Sequence, residues 1–298
     1  MSWPFTVAIP TRDRSALLAC TLDALETQQA GVPQVVVIDQ SDLPDAALRE
    51  RAESCDWLTV VADDEGRGLS RARNVAWRAI ESEWIIYLDD DAVPDPDWSQ
   101  EITLALRSHP EADLVTGHVF DPNAEARGDY LAVSVQPLEH EQVRSGRWTR
   151  PWDVGLGICT ALRRSVIVSL DGWDERLGAG APRFGAAEDM DFNYRLLRAG
   201  GIGYATPRVR VAHAQWRRPE ELVTLYARYM LGWTAFAMKH VKTGDPVGGL
   251  WLWALGAQDA LRMTASAARR RSRLRGRVAR AKIYGLAVGT VEGLRADW

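Results

Sequence analysis

Cysteine is scarce in this 298-residue chain: Cys20, Cys55 and Cys159 stand apart, with no C-x-x-C pair. A scattered set of three excludes a disulfide framework and a cysteine-built zinc site, and reads as reduced thiols in a cytosolic protein. Long apolar runs are also missing. The nearest, VGGLWLWALGA at 247–257, falls short of the roughly 20 residues a bilayer span requires. The opening MSWPFTVAIPTRDR lacks a basic stretch followed by a long apolar one, so it reads as a strand and not as a secretory leader. Neither G-x-G-x-x-G nor G-x-x-x-x-G-K-[ST] occurs, which leaves dinucleotide-binding and P-loop readings without support. Internal repeats and low-complexity tracts are absent.

What is present is an ordinary globular composition, 46% apolar and 26% charged, long enough for one large core or two small ones. The net charge of −4 hides an asymmetry. Residues 269–298 hold nine Lys/Arg against two Asp/Glu, a net of +7, which leaves −11 for residues 1–268. Most of the basic charge falls in RRRSRLRGRVARAK, 269–282.

Through the first 120 residues, short β-branched runs alternate with helix-like stretches. FTVAI (5–9), QVVVID (34–39), WLTVV (57–61), WIIYL (84–88) and ADLVTGHVF (112–120) are the strand candidates. They lack polar alternation, as strands covered on both faces do, so the pattern predicts a doubly wound α/β domain with a mostly parallel sheet. Ligands in such sheets bind beyond the strands' carboxyl ends. Polar clusters sit at those ends: PTRDR, DQSD, DDEGRG and DDD. From about 121 to 160 only loops and short strands are assigned. Helices are predicted over 189–200 and 219–241, the latter with Leu222, Tyr226, Tyr229, Trp233 and Phe236 on one face, and one or two more follow Pro246.

In IIYLDDDAVPDPDW, Asp89, Asp90 and Asp91 end a buried strand. Burying unpaired polar groups costs several kcal/mol, roughly 2–7 each, so a cation must sit there or the loop must be solvated. Three readings stand: a solvated, capping turn; a site for Mg2+ or Mn2+ completed by nucleotide phosphates; or a general-base carboxylate. In GRGLSRARN, Arg71 and Arg73 open a helix near the same edge and suit either a diphosphate or nearby acids. Glu188, Asp189 and Asp191 lie at another helix start, where acids are favourable caps. His213 follows a β-like run and is by itself a structural or exposed histidine as readily as a ligand. His109, His118, His140 and His240 have no supporting context.

VAIPTRDR, VVVIDQSD, GLSRARNVAW, YLDDDAVPDPDW and GWDERLGAGAPRFGAAEDMDFNYRL, in that order, resemble the family 2 glycosyltransferases over about residues 4–216. The resemblance implies the GT-A fold, a nucleotide-sugar-binding α/β domain on a mixed, mostly parallel sheet (1–216), followed by a helical extension (217–298). It implies an inverting enzyme that moves one sugar from a nucleoside-diphosphate sugar, UDP first and dTDP or GDP behind it, with Mn2+ or Mg2+. Pro10, Thr11 and Asp13 would line the nucleotide pocket, and Asp39 would bond the nucleobase. Arg71 and Arg73 would face the diphosphate. Asp89 would lie towards ribose or sugar, Asp91 would be the direct metal ligand, and Asp90 would stand between them. Asp189 would be the catalytic base, Glu188 would bind acceptor or donor sugar, and His213 would complete the metal sphere. The alternatives are a non-catalytic nucleotide- or glycan-binding protein of the same fold and a sugar nucleotidyltransferase. The second should carry a glycine-rich first loop, and PTRDRS has none.

The chain departs from the processive polysaccharide synthases of that family: AHAQWRRPEE is not Q-x-x-R-W, and no span exists, so single-sugar transfer is expected. The acceptor implied is a glycan or lipid-linked hydroxyl. The Trp-containing basic segment reads as a solvated helix or as a contact for an anionic membrane surface, peripheral on the inner face of the cell membrane. A third option is homo-oligomerisation through Trp251 and Trp253. No nucleic-acid module accompanies the arginines, so no nucleic-acid partner is expected.

Overall fold

The computed structural model describes residues 3–43, 45–124, 131, 133–215 and 217–298. In chain order the elements are β1 (Phe5–Thr11), α1 (Ser15–Glu26), β2 (Val35–Asp39), α2 (Ala46–Ser54), β3 (Leu58–Ala62), α3 (Leu69–Ala79), β4 (Trp84–Leu88), β5 (Ala92–Pro94), α4 (Trp98–Ser108) and β6 (Leu114–Phe120). There follow β7 (Gln142–Arg144), α5 (Pro151–Val154), β8 (Cys159–Arg163), α6 (Arg164–Ser169), α7 (Glu188–Arg198), β9 (Gly203–His213), α8 (Pro219–Lys242), α9 (Pro246–Arg270) and α10 (Arg273–Arg295). They form two compact units. One holds 3–174 with 189–215, the other 175–188 with 217–298. The boundary expected at 216/217 touches Trp216, which lies outside the described residues, as do 125–130 and 132 within the stretch assigned to loops and short strands.

The first unit is a mixed α/β sheet in the order β3-β2-β1-β4-β8-β6-β9-β5, with β7 also on β9. Strands β1 to β4 pair parallel. β8 enters antiparallel between β4 and β6, and β9 is again parallel to β6. The apolar runs are explained by burial on both faces. Phe5, Val7 and Ile9 of β1, with Trp84, Ile86 and Leu88 of β4, pack into one core with Leu18, Leu22, Leu25, Trp98 and Ile102. Ala8, Ile85 and Tyr87 point the other way, into a second core with Ala72, Ala76, Phe192 and Leu196. Each fully buried large side chain contributes roughly 1.5–3 kcal/mol, so neither face tolerates a polar substitution. The three cysteines are free thiols, and burial pushes that of Cys159 up to about 12.

The second unit is built on α8. Its first half is amphipathic, as its sequence suggests, but Gly232 to His240 are all buried. Trp233 Nε1 donates to the Leu252 carbonyl of α9 (2.8 Å), and Trp253 Nε1 donates to Thr290 Oγ1 of α10 (2.9 Å). On α10, Gly285, Gly289 and Gly293 recur every fourth residue and meet the α8 backbone. A Cβ on Gly289 would lie 2.1 Å from Thr234 Oγ1 and 2.4 Å from the Leu231 carbonyl oxygen. Among the described residues, no helix is long and apolar enough to cross a membrane.

Candidate functional site

Because β1 to β4 are parallel, their carboxyl ends share one edge of the sheet. Two antiparallel steps through β8 return β6 to the direction of β4, and β9 follows β6, so His213 at the end of β9 reaches that edge too. The chain leaves β4 through Asp89, whose N–H donates to the Ile158 carbonyl (2.9 Å), and enters β5 at Ala92. Ala92 is the register partner of His213. That pairing sets His213 Nε2 3.2 Å from Asp91 Oδ1. One ligand atom each from Asp89, Asp91 and His213 fall within 4.8 Å of one another.

Asp90 points elsewhere. Thr11 Oγ1 donates to its Oδ2 (2.8 Å), Arg14 Nη1 to its Oδ1 (2.7 Å), and Thr21 Oγ1 to its carbonyl (3.0 Å). Both carboxylate oxygens thus have donors inside the fold, and Asp90 braces the turn. Arg14 also donates to Asp91 Oδ2 at 3.3 Å, which makes it a resident counter-charge for the acidic turn. Arg14 escaped the sequence reading although it stands in PTRDR, because nothing local shows that it reaches 76 residues along the chain.

Pro10 and Thr11 lie within β1, both buried, opposite Ile38 and Asp39 of β2. Asp39 is half-buried at the carboxyl end of β2 and accepts the Ser41 N–H (2.9 Å). Asp13, exposed and left-handed at φ 54°, ties the first two loops: its N–H donates to Ser41 Oγ (2.8 Å) and its Oδ1 accepts from Asp42 N–H (3.0 Å). Arg71 takes the ion-pair alternative. It grips buried Asp63 through Nε (3.0 Å) and Nη2 (2.8 Å), and Gln40 Nε2 donates to the same carboxylate (2.7 Å). Burial opposes ionisation of Asp63, but these donors outweigh it and hold the carboxyl below its ordinary range.

Arg73 is 1% exposed and held inside the unit. Its guanidinium lies 4.5 Å from the centre of the Trp173 ring. Nη2 donates to the Gly157 carbonyl (3.1 Å) and stands 3.7 Å from Asp89 Oδ1. Gly157 is used on both sides, because its N–H donates to Asp189 Oδ2 (3.0 Å). A Cβ there would sit 2.5 Å from Arg73 Nη2, so any other residue would displace the guanidinium. One residue of backbone therefore connects the Asp89 side of the edge to Asp189. The other oxygen of Asp189 accepts the Met190 N–H (2.8 Å). Glu188 is buried at the first position of α7. Asp191 is fully buried and pairs with Arg195 Nε (2.8 Å), which marks it as structural. Gly157 carried no short-range signal in the sequence.

Charge explains why the edge suits a cation. Burial pushes Asp89 up to about 7; Asp91 and Asp90 add to the rise, while Arg73 and His213 oppose it. Burial also raises Asp90, against Arg14 and Thr11. An acid held this far above its ordinary range gains most from a positive neighbour. Two carboxylates and one imidazole fit Mn2+, and Mg2+ by the carboxylates.

A family model described as glycosyl transferase family 2 matches residues 6–170. Among curated proteins, a pre-mycofactocin glycosyltransferase of Mycobacterium tuberculosis is 26% identical over 261 residues, 84% of this chain and 52% of its own. An uncharacterized glycosyltransferase of Haemophilus influenzae is 21% identical over 194 residues, 65% of this chain and 62% of its own. The chain thus spans between half and two thirds of these relatives' lengths. Among solved structures, the mannosyltransferase PcManGT from Pyrobaculum calidifontis in complex with GDP-Man and Mn2+ has a TM-score of 0.62 at 19% identity, covering 99% of this chain and 88% of that one. S. aureus TarS 1-349 in complex with UDP-GlcNAc has a TM-score of 0.61 at 15% identity, covering 99% and 90%. At these identities the likeness is one of fold.

Proposed function

This chain belongs to glycosyl transferase family 2, and we propose that it moves a single sugar from a nucleoside-diphosphate sugar to an acceptor hydroxyl, inverting the anomeric carbon. One observation carries the proposal: Asp89 and Asp91 of the β4–β5 turn and His213 at the end of β9, far along the chain, bring a ligand atom each within 4.8 Å at the carboxyl edge of the sheet. Asp91 and His213, joined by Asp89, would hold Mn2+ or Mg2+. That ion would supply positive charge for the departing diphosphate.

Asp189 takes the proton of the acceptor hydroxyl as its oxygen attacks the anomeric carbon from the face opposite the diphosphate. One C–O bond forms, the bond to the diphosphate breaks, and the configuration inverts. The backbone donors of Gly157 and Met190 fix the Asp189 carboxylate before substrate arrives, which is the preorganisation a base requires. Glu188 binds acceptor or donor sugar beside it. Asp39 faces the nucleobase, and Pro10, Thr11 and Asp13 border that pocket. Arg71 and Arg73 act on the diphosphate only at one remove, by organising Asp63 and Asp89. UDP is the proposed nucleotide, with GDP and dTDP as alternatives. Similar folds hold UDP-GlcNAc and GDP-Man, which supports a diphosphate donor. The acceptor is a glycan or a lipid-linked glycan, in glycolipid or cell-envelope polysaccharide assembly.

Thermal stabilisation by UDP, GDP, dTDP and CMP, each with and without Mn2+, tests this. A ligand at ~100 times its dissociation constant adds about 2.7 kcal/mol. One diphosphate should stabilise only with metal, and Asp91→Ala should abolish the shift. Asp189→Asn should keep the shift and lose the slow release of free nucleoside diphosphate from its sugar. No shift from any nucleotide would leave a non-catalytic protein with this fold.

A further inference from the structure

The two oxygens of Asp91 have different partners. Oδ1 lies 3.2 Å from His213 Nε2, and Oδ2 accepts from Arg14 Nη1 at 3.3 Å. The Asp91 side chain is only 6% exposed, so water does not displace these contacts freely.

Arg14 is itself held in place. It stands at the N-cap of α1, where its carbonyl accepts the N–H groups of Leu17 and Leu18 (3.0 Å each). Its Nη1 also donates to Asp90 Oδ1 at 2.7 Å. Asp90 is fixed in turn, because Thr11 Oγ1 holds its other oxygen and Thr21 Oγ1 of α1 holds its carbonyl. A guanidinium that rises from a fixed backbone onto a fixed carboxylate has little freedom to leave Asp91. An ion gathered by Asp89, Asp91 and His213 would then meet Asp91 through the oxygen on the His213 side.

The number of oxygens a carboxylate offers matters to the choice of ion. Ca2+ takes about six to eight oxygen ligands at long distances and readily accepts both oxygens of one carboxylate. Smaller ions keep a near-octahedral set, which one oxygen per carboxylate suits. We infer that Arg14 is a specificity-determining residue for the metal: by engaging Asp91 Oδ2 it leaves one oxygen for the ion and so favours Mn2+ or Mg2+ over Ca2+. The inference rests on the proposed role of Asp89, Asp91 and His213 as ligands. Arg14 acts through Asp91 and is not a ligand. Its positive charge is a separate effect, which weakens all divalent ions alike and leaves their ratio unchanged.

Arg14→Met in the full-length chain tests it, with Mn2+ binding followed by the paramagnetic resonance of the free ion and Ca2+ as competitor. Loss of the charge should tighten both ions. Release of Oδ2 should tighten Ca2+ further, narrowing the preference for Mn2+ over Ca2+ about tenfold. In that variant Asp90 also loses a donor and becomes a rival ligand. Arg14→Met combined with Asp90→Asn removes the rival, together with the buried charge that endangers folding, and should narrow the ratio by the same factor. If the single variant does not fold, the double variant decides. A wild-type ratio in the variants overturns the inference, as does a narrowing confined to the single variant, which would assign the effect to Asp90. If the wild type binds neither ion, the metal site itself fails and the inference with it; if it binds Mn2+ and the ratio stays put, the role of Arg14 alone fails.

Discussion

Asp89 sits under opposing influences, and their balance is measurable. In the unfolded chain its carboxyl titrates at the ordinary 3.8; in the folded chain burial, with Asp91 and Asp90, pushes it up to about 7. Between those values the folded chain carries a proton that the unfolded chain has lost. Stability of the metal-free protein therefore rises as pH falls from about 7 towards 4, by at most about 1.4 kcal/mol per pH unit from this group. Metal-free melting temperatures of wild type and Asp89→Asn across pH 5–8 should show that gain in the wild type and a smaller one in the variant. Binding of Mn2+ should respond oppositely, weakening as pH drops through 7, because ion and proton compete for the same oxygens. A flat difference between the two proteins would mean that Asp89 ionises as an ordinary acid. At this scale the sequence told residue type well and direction poorly. DDD announced a charged edge, but which carboxylate faces inward depends on Thr11 and Arg14, 79 and 76 residues away. Arg71 and Arg73 looked interchangeable; one grips Asp63 and the other is 1% exposed beneath Trp173, and neither contact has a local signature.

Elements were legible where their periodicity was complete. WIIYL is β4 at the expected residues, since only a strand buried on both faces tolerates so continuous an apolar run. β8 was not legible. CTALR mixes small, polar and charged residues, and its place between β4 and β6 is a matter of pairing partners that no window of sequence contains. β5 has three residues, too few for any period, although it seats His213 beside Asp91. The glycines that follow the basic run 269–282 have no side chain to carry a periodic apolar signal. These let α10 lie against α8 with backbones nearly touching. Gly289→Val should overfill that seam, where even a Cβ would fall 2.1 Å from Thr234 Oγ1, and lower stability by about 3 kcal/mol in urea denaturation. Gly276→Ala is the control: no atom lies within 4 Å of its Cβ position, and it should change stability little.

Across the whole molecule, charge and exposed apolar surface gather in the same part of the chain. Leu250, Leu261, Ile283, Tyr284 and Leu294 of α9 and α10 are exposed; Arg269 and Arg270 end α9, Arg271 lies in the turn and Arg273 opens α10. The contact with an anionic membrane surface, or with a second copy of the chain, expected from the sequence would fall on this surface. Removing α10 would uncover α8, so replacing Arg269, Arg270 and Arg271 by Gln is the sounder test. At ~1 kcal/mol per arginine, binding to phosphatidylserine vesicles should weaken roughly a hundredfold at low salt. Unchanged vesicle binding with a concentration-dependent mass would favour the second copy. The distance along the chain between the paired acids and His213 also bears on synthesis. His213 follows Asp91 by 122 residues, and at about 5–20 residues per second the ribosome makes it roughly 6–24 s later. During that interval the nascent protein carries an acidic turn without its imidazole partner, so an ion held by all three side chains would be acquired late. Arg14 and Arg73, both made before the three aspartates, are the cations already to hand, Arg14 on Asp90 and Asp91 and Arg73 beside Asp89.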